Sequence, residues 1–331
     1  MLRSYFSAIP TPVAGLALGI ASLGLGLEKA LPLHSFGQTA GALAACLPLF
    51  CIACKFILHP ALLQQELKHP VLGSILPTFA MGLMLVAKTL TMWHALAGAV
   101  LWCVAVTLHL GLTAAFTWHR LKSLDLQQMV PSWFVPFVGI ILAAVTVPSP
   151  AFNDLAYALL VLGMVNYAIL LPVMVYRLIF AREVADAAKP TIAIMAAPAS
   201  LALAGYLSLE SEPSLLLCSV LLGIALLMTG VVYLAFFKLL RLPFTPAFAA
   251  YTFPMAVGAT ALYKVAEHLA LYPGAEEYAR QLTCAAVVEM TIATLVIFYV
   301  CTRYLLHYAR KGAFERLRLL GAVPVQVQVG K

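Results

Sequence analysis

The sequence predicts an all-α integral membrane protein: ten transmembrane helices arranged as five repeated helical hairpins, pseudo-fivefold, with proline-kinked inner helices around a central pore. Three observations predict it. Of 331 residues, 63% are hydrophobic and only 10% charged, against roughly 25% charged in an average soluble domain, and the mean hydropathy is +0.98. Apolar runs of about 18 residues or more recur along the chain, each long enough to cross roughly 30 Å of hydrocarbon as a helix. The third observation is an internal repeat punctuated by proline.

The segments "AIPTPVAGLALG", "HPVLGSILPTFAMGL", "MVPSWFVPFVGII", "KPTIAIMAAPASLALAG" and "TPAFAAYTFPMAVGA" each carry one proline near the start and a second a few residues later, followed by small residues. The second prolines, Pro12, Pro77, Pro136, Pro198 and Pro254, lie 65, 59, 62 and 56 residues apart. A fixed period of this kind marks a repeated supersecondary unit. Each unit is one Pro/Gly/Ala-rich helix followed by one plain helix rich in Leu, Val and aromatics.

Taken in order, the ten spans fall at 8–27, 36–58, 71–88, 94–118, 131–148, 153–178, 190–208, 213–238, 246–264 and 281–307. They pair into hairpins 8–58, 71–118, 131–178, 190–238 and 246–307, within a transmembrane domain 1–308 that precedes a basic tail, 309–331. The first run sits behind Arg3 but is long, broken early by Pro10 and Pro12, and like the later spans, so it reads as a span rather than a secretory signal. A proline inside a helix removes one hydrogen bond and clashes with the preceding turn, at about 3 kcal/mol. Such breaks are tolerated at membrane depth where protein or a water-filled cavity surrounds them, and small residues let backbones approach closely. The odd-numbered spans therefore belong inside, and the Leu-rich even-numbered ones face lipid.

Lys and Arg gather in cytoplasmic loops. Of the 20 basic residues, 16 fall at the termini or in loops after even-numbered spans, and Lys29, Lys88, Lys264 and Arg280 fall on the other side. Both termini are thus expected in the cytoplasm, in a cell inner (plasma) membrane, with the tail "RYLLHYARKGAFERLRLL" lying along anionic lipid headgroups. All seven cysteines fall inside spans, and Cys51-x-x-Cys54 has no second pair beside it, which reads as helix packing rather than a metal or redox motif. No cofactor is expected.

The inner spans carry no Asp, Glu, Lys or Arg through their bodies, and the one carboxylate well inside a span is Glu289. Ion-coupled carriers keep an ionisable group at mid-membrane. A cation path wants rings of carbonyls or carboxylates. An anion path can use loosened N–H groups and the partial positive ends of broken helices, with basic residues at the mouth. Lys264, eleven residues beyond Phe253 and so roughly 16 Å along a helix, and Lys88, at the corresponding end of span three, are the candidate anion-attracting mouth residues. Ordinary interfacial snorkelling accounts equally well for either lysine alone. Thr78, Ser132, Ser200 and Thr260 are further polar positions on inner spans, and His109 and Asn166 read as helix-packing hydrogen bonders.

The stretch "AYTFPM" with a basic residue eleven positions after its phenylalanine, the opening "IPTPVAGLALGIASLGLGLE", and His69-Pro70 opening the third span resemble the tellurite-resistance/dicarboxylate transporter family. That family spans bacterial TehA proteins, fungal malic acid permeases and plant slow anion channels. The resemblance implies five inner and five outer helices, a homotrimer with one pore per subunit, conduction of small inorganic or organic anions, and Phe253 as the side chain that occludes the pore. It leaves three readings open: a passive anion channel, a carrier for C4-dicarboxylates, and an exporter of tellurite or lipophilic cations. No catalytic or phosphate-cradling motif points to an enzyme, and the composition excludes a soluble nucleic-acid-binding role despite the net charge of +7.

Overall fold

The computed structural model describes residues 2–123 and 125–319, with the side chains of the last helix described as far as residue 309. Its principal helical segments are α1 (Val13–Ala30), α2 (Phe36–Leu58), α3 (Pro77–Trp93), α4 (Ala95–Leu121), α5 (Pro131–Val145), α6 (Asn153–Phe180), α7 (Ala197–Leu209), α8 (Leu215–Leu239), α9 (Thr252–Leu269) and α10 (Glu276–Leu319). No strand occurs among the described residues. The expected basic tail, 309–331, lies outside the described residues save for Ala309 and the helical backbone that continues through Leu319.

Eight stretches are long and apolar enough to cross a membrane, where the sequence predicts ten spans. The other two are α5 and α9. In α5 the helix is divided into 3-10 and α turns, Pro131–Trp133, Phe134–Val138, Gly139–Ile141 and Leu142–Val145. In α9, Lys264, Glu267 and His268 sit within the 18 helical residues and lower their apolarity.

Burial separates the eight stretches into two groups. Over an apolar 18-residue portion of each, Val13–Ala30, Leu72–Trp93 and Lys189–Leu209 are 56%, 61% and 78% buried, whereas Phe36–Leu58, Ala95–Leu121, Pro150–Phe180, Leu215–Leu239 and Glu276–Ala309 are 28% to 33% buried. The proline-marked segments also close on one another. α1 packs on α3, α3 on α5, α5 on α7, α7 on α9, and α9 returns to α1. Each even-numbered helix then lies outside its hairpin partner, as α2 does on α1, α4 on α3 and α10 on α9, with side chains such as Leu47, Phe50, Leu216 and Phe298 exposed. The α1–α2 pair is drawn together by glycine: a Cβ at Gly24 would lie 2.5 Å from the Gly37 carbonyl oxygen and 2.9 Å from Gly41 Cα.

The marker prolines fall elsewhere in their helices than mid-helix kinking requires. Pro12 immediately precedes α1, Pro77 is the first residue of α3, Pro198 the second of α7 and Pro254 the third of α9. A short α turn (Leu72–Ile75) leads into α3, and 3-10 turns (Lys189–Ala196, Pro246–Tyr251) lead into α7 and α9. In the first turn of an α-helix the missing proline N–H is one of the orphan donors anyway, so the interior penalty is largely avoided. Pro136 differs, standing in the middle of the five-residue turn Phe134–Val138. The winding changes from 3-10 to α just before the marker proline in two copies, at Pro198 and Pro254, whereas Pro12 precedes the start of its helix and Pro77 follows a one-residue interruption between two α segments.

Candidate functional site: a cavity walled by five repeated segments

Residues from all five proline-marked segments wall one cavity of about 60 Å³. Pro12, Gly15 and Leu18 come from the first; Ile75, Thr78 and Met81 from the second; Phe134, Val135, Val138 and Gly139 from the third; Ile194, Ala197, Pro198 and Leu201 from the fourth; and Ala250, Phe253 and Pro254 from the fifth. No charged side chain lines it. Thr78 contributes a hydroxyl, but that group donates to the Ile75 carbonyl at 2.7 Å. Of the marker prolines, Pro12, Pro198 and Pro254 border the space, while Pro77 and Pro136 stand outside its lining. The Pro136 carbonyl accepts from Thr113 Oγ1 at 2.9 Å and pairs with His109 Nε2 at 3.1 Å.

The expectation that broken helices present loosened N–H groups is not met at the start of α1. Val13, Ala14 and Gly15 donate to the carbonyls of Pro10, Thr11 and Pro12 at 3.1, 3.0 and 2.9 Å. Proline removes a donor rather than freeing one. What the cavity does receive is the beginning of four α-helical ladders, those of α1, α3, α7 and α9, whose first residues stand at or beside its wall. Helix N-termini carry partial positive charge.

Phe253 is 8% exposed and reaches this cavity from the first turn of α9. Its backbone is tied down by the preceding residue: Thr252 Oγ1 lies 2.7 Å from the Ala249 carbonyl and 3.3 Å from that of Gly15 on α1. At Gly19, one turn along α1, an added Cβ would overlap the Thr252 side chain. The α1–α9 seam at Phe253 thus depends on a glycine.

Lys88 and Lys264 are placed near the far ends of α3 and α9. Lys88 Nζ donates to the Val145 carbonyl at the end of α5 at 2.7 Å, and Lys264 Nζ donates to Ser208 Oγ on α7 at 2.9 Å. Each therefore bridges to the adjacent inner segment. With Lys29 they are close enough to feel one another's charge, but Lys29 is paired with Glu267 at 2.8 Å and is partly exposed. The other polar candidates serve packing. Ser132 and Ser74 hydroxyls lie 2.6 Å apart, Thr260 donates to the Ala256 carbonyl at 2.8 Å, and Asn166 donates to the Phe137 carbonyl at 3.2 Å. Ser200 donates to the Ala196 carbonyl and borders a second cavity.

Three interior charges have roles that span position does not reveal. Lys55 is 3% exposed and donates to Glu66 Oε1 at 2.6 Å and to Thr11 Oγ1 at 2.9 Å, while Thr11 also bonds Glu66 Oε2. Arg120 donates to Gln128 Oε1 and to the Lys68 carbonyl, and Arg177 to the carbonyls of Arg182 and Gln127. These basic residues, which set the expected orientation by their count, also stitch the loops of one face together. Among the described residues no group of three or more His, Cys, Asp or Glu is arranged to hold a metal.

An all-helical fold with eight stretches long and apolar enough to cross a membrane, its repeated segments walling an uncharged cavity, defines a multi-pass membrane protein. The chain belongs to the voltage-dependent anion channel family (SLAC1), which it matches over residues 10–303. Two curated relatives come from Methanocaldococcus jannaschii. The uncharacterized transporter MJ0762 is 25% identical over 228 residues, covering 61% of this chain and 67% of the relative. The uncharacterized transporter MJ0576 is 27% identical over 229 residues, covering 62% and 65% respectively. The matched region thus spans about two thirds of the length of each.

Proposed function

We propose that this chain is an anion channel of a cell inner (plasma) membrane, passing small inorganic or organic anions through one central pore in each subunit of a homotrimer, with Phe253 as the occluding gate. Ten spans, five of them inner and related by pseudo-fivefold repetition, form each subunit, and both termini face the cytoplasm. The observation that carries this reading is the single uncharged cavity to which all five proline-marked segments contribute, with Phe253 in its wall. An aromatic ring plugs a narrow apolar conduit, excludes water and leaves by a rotamer change without breaking a hydrogen bond. Lys88 and Lys264 raise the anion concentration at the mouth opposite the cytoplasm.

The test is reversal-potential measurement on the reconstituted chain under chloride, nitrate and malate gradients, before and after Phe253→Ala. Anion-selective current that rises several-fold in the variant is expected. Unchanged current at equal protein density defeats the gate assignment. The relatives bear the name transporter, and saturable malate uptake without current would move the reading to a carrier.

A further inference from the structure

A second cavity, of about 10 Å³ and sharing no lining residue with the first, lies among α7, α8, α9 and α10. Its lining includes Ser200 of α7, Thr229 of α8, Gly258 of α9 and Glu289 of α10. Glu289 is 6% exposed, and its Oε1 has no hydrogen-bond partner. No basic side chain lines this cavity. From α8, Tyr233 is the titratable neighbour, close enough to feel the Glu289 charge, and its own hydroxyl is buried and unpartnered. From α7, Ser200 spends its proton on the Ala196 carbonyl at 3.1 Å. α9 presents only Gly258 and apolar side chains here.

The glycine is what admits the carboxyl, since a Cβ on Gly258 would overlap Glu289 Oε1. Gly258 stands five residues beyond Phe253 on the same helix, roughly 7.5 Å along its axis. The Glu289 carboxyl therefore leans directly on the helix that carries the aromatic side chain of the central cavity. An ionised carboxylate in this place has no basic side chain in the cavity lining and no donor on Oε1, and burying a charge so is far more costly than burying a neutral acid. Two changes relieve it: a proton on the carboxyl, or withdrawal of α9 so that water reaches the oxygen.

The geometry points to Glu289 as a proton-binding site that sets the seat of α9 and, through α9, the position of Phe253. With the proton bound, α9 packs on α10 through Gly258 as described. When the O–H bond breaks and the proton passes to water, α9 withdraws and the ring moves with it. Conduction then rises with pH. This inference rests on Phe253 acting as the gate.

The experiment uses the full chain in liposomes, with anion efflux followed across a pH series. Wild-type efflux is expected to increase several-fold from acidic to alkaline pH. Glu289→Gln, which keeps the shape of the protonated acid, holds the low rate and flattens the series. Gly258→Ala forces the helices apart and gives the high rate at every pH. Infrared difference spectra supply a readout independent of conduction and of the fate of Gly258→Ala: a carboxylic C=O band that titrates in the wild type and is absent in Glu289→Gln. Efflux indifferent to pH, an undiminished pH dependence in Glu289→Gln, or no such band overturns the proposal. An unchanged efflux in Phe253→Ala instead removes the gate reading while the band still reports on the proton site.

Discussion

Lys88 Nζ on α3 donates to the Val145 carbonyl at the end of α5 at 2.7 Å, so the cation of one inner segment is held on the last turn of the next. A helix C-terminus is where a cation is favoured. Lys264 bridges to Ser208 of α7 in the same way, at 2.9 Å. Neither has a carboxylate partner among the described salt bridges.

If these ammonium groups steer anions, the double change Lys88→Met with Lys264→Met lowers anion conductance by about tenfold in dilute salt, the lower end of electrostatic steering. The deficit shrinks in concentrated salt because screening shortens the reach of the charges. Single-channel conductance at low and high ionic strength checks it. A deficit equal in both would assign the lysines to bridging alone.

The glycine seam between α1 and α2 predicts a stability effect with no charge involved. Gly24→Ala and Gly41→Ala place a methyl against facing backbone, an overpacking that costs about 1–3 kcal/mol. Thermal midpoints of the detergent-solubilised chain should fall in both variants. Gly111→Ala, inside α4 where a Cβ meets nothing within 4 Å, should leave the midpoint the same or raise it, since alanine favours the helix over glycine by about 0.5–1 kcal/mol.

Lys55 predicts a different kind of loss. Removing one partner from a buried ion pair costs about 3–5 kcal/mol, and the Glu66 side chain is 14% exposed against 4% for Lys55, which places Lys55→Met toward the lower end. Adding Glu66→Gln to that variant removes the stranded charge and should restore part of the thermal midpoint. A double variant no more stable than Lys55→Met would mean that Glu66 finds enough water to stand alone.

Much of this architecture is legible from proline spacing. The repeat marked by Pro12, Pro77, Pro136, Pro198 and Pro254 identifies the segments that wall the cavity; it is the paired, periodic prolines and not proline alone that do so, since Pro48 and Pro172 stand inside the outward-facing α2 and α6. Phe253 stands out by its place before the fifth proline. The winding of each segment is not legible in that way: whether residues before a proline coil as 3-10 or α turns is decided by neighbours, so Pro254 reads as a kink yet stands in a first helical turn. Span position also hides long-range partners. Lys55 looks like an interfacial lysine until Glu66 and Thr11 fold onto it. The fit of Glu289 against Gly258 joins positions 31 residues apart on different helices, and no local pattern announces it.

The uncharged wall of the central cavity has a consequence for ion discrimination. An ion crossing between Leu18, Met81, Val138, Leu201 and Phe253 surrenders hydration to groups that cannot replace it, and desolvation of a charge is the dominant cost of such a step. If the cavity is the proposed anion path, preference among anions is expected to follow a lyotropic order, with weakly hydrated thiocyanate and nitrate ahead of chloride, chloride ahead of fluoride and doubly charged sulfate last, which reversal potentials under paired anion gradients check. On that reading the cavity sorts anions by the tenacity of their water shells.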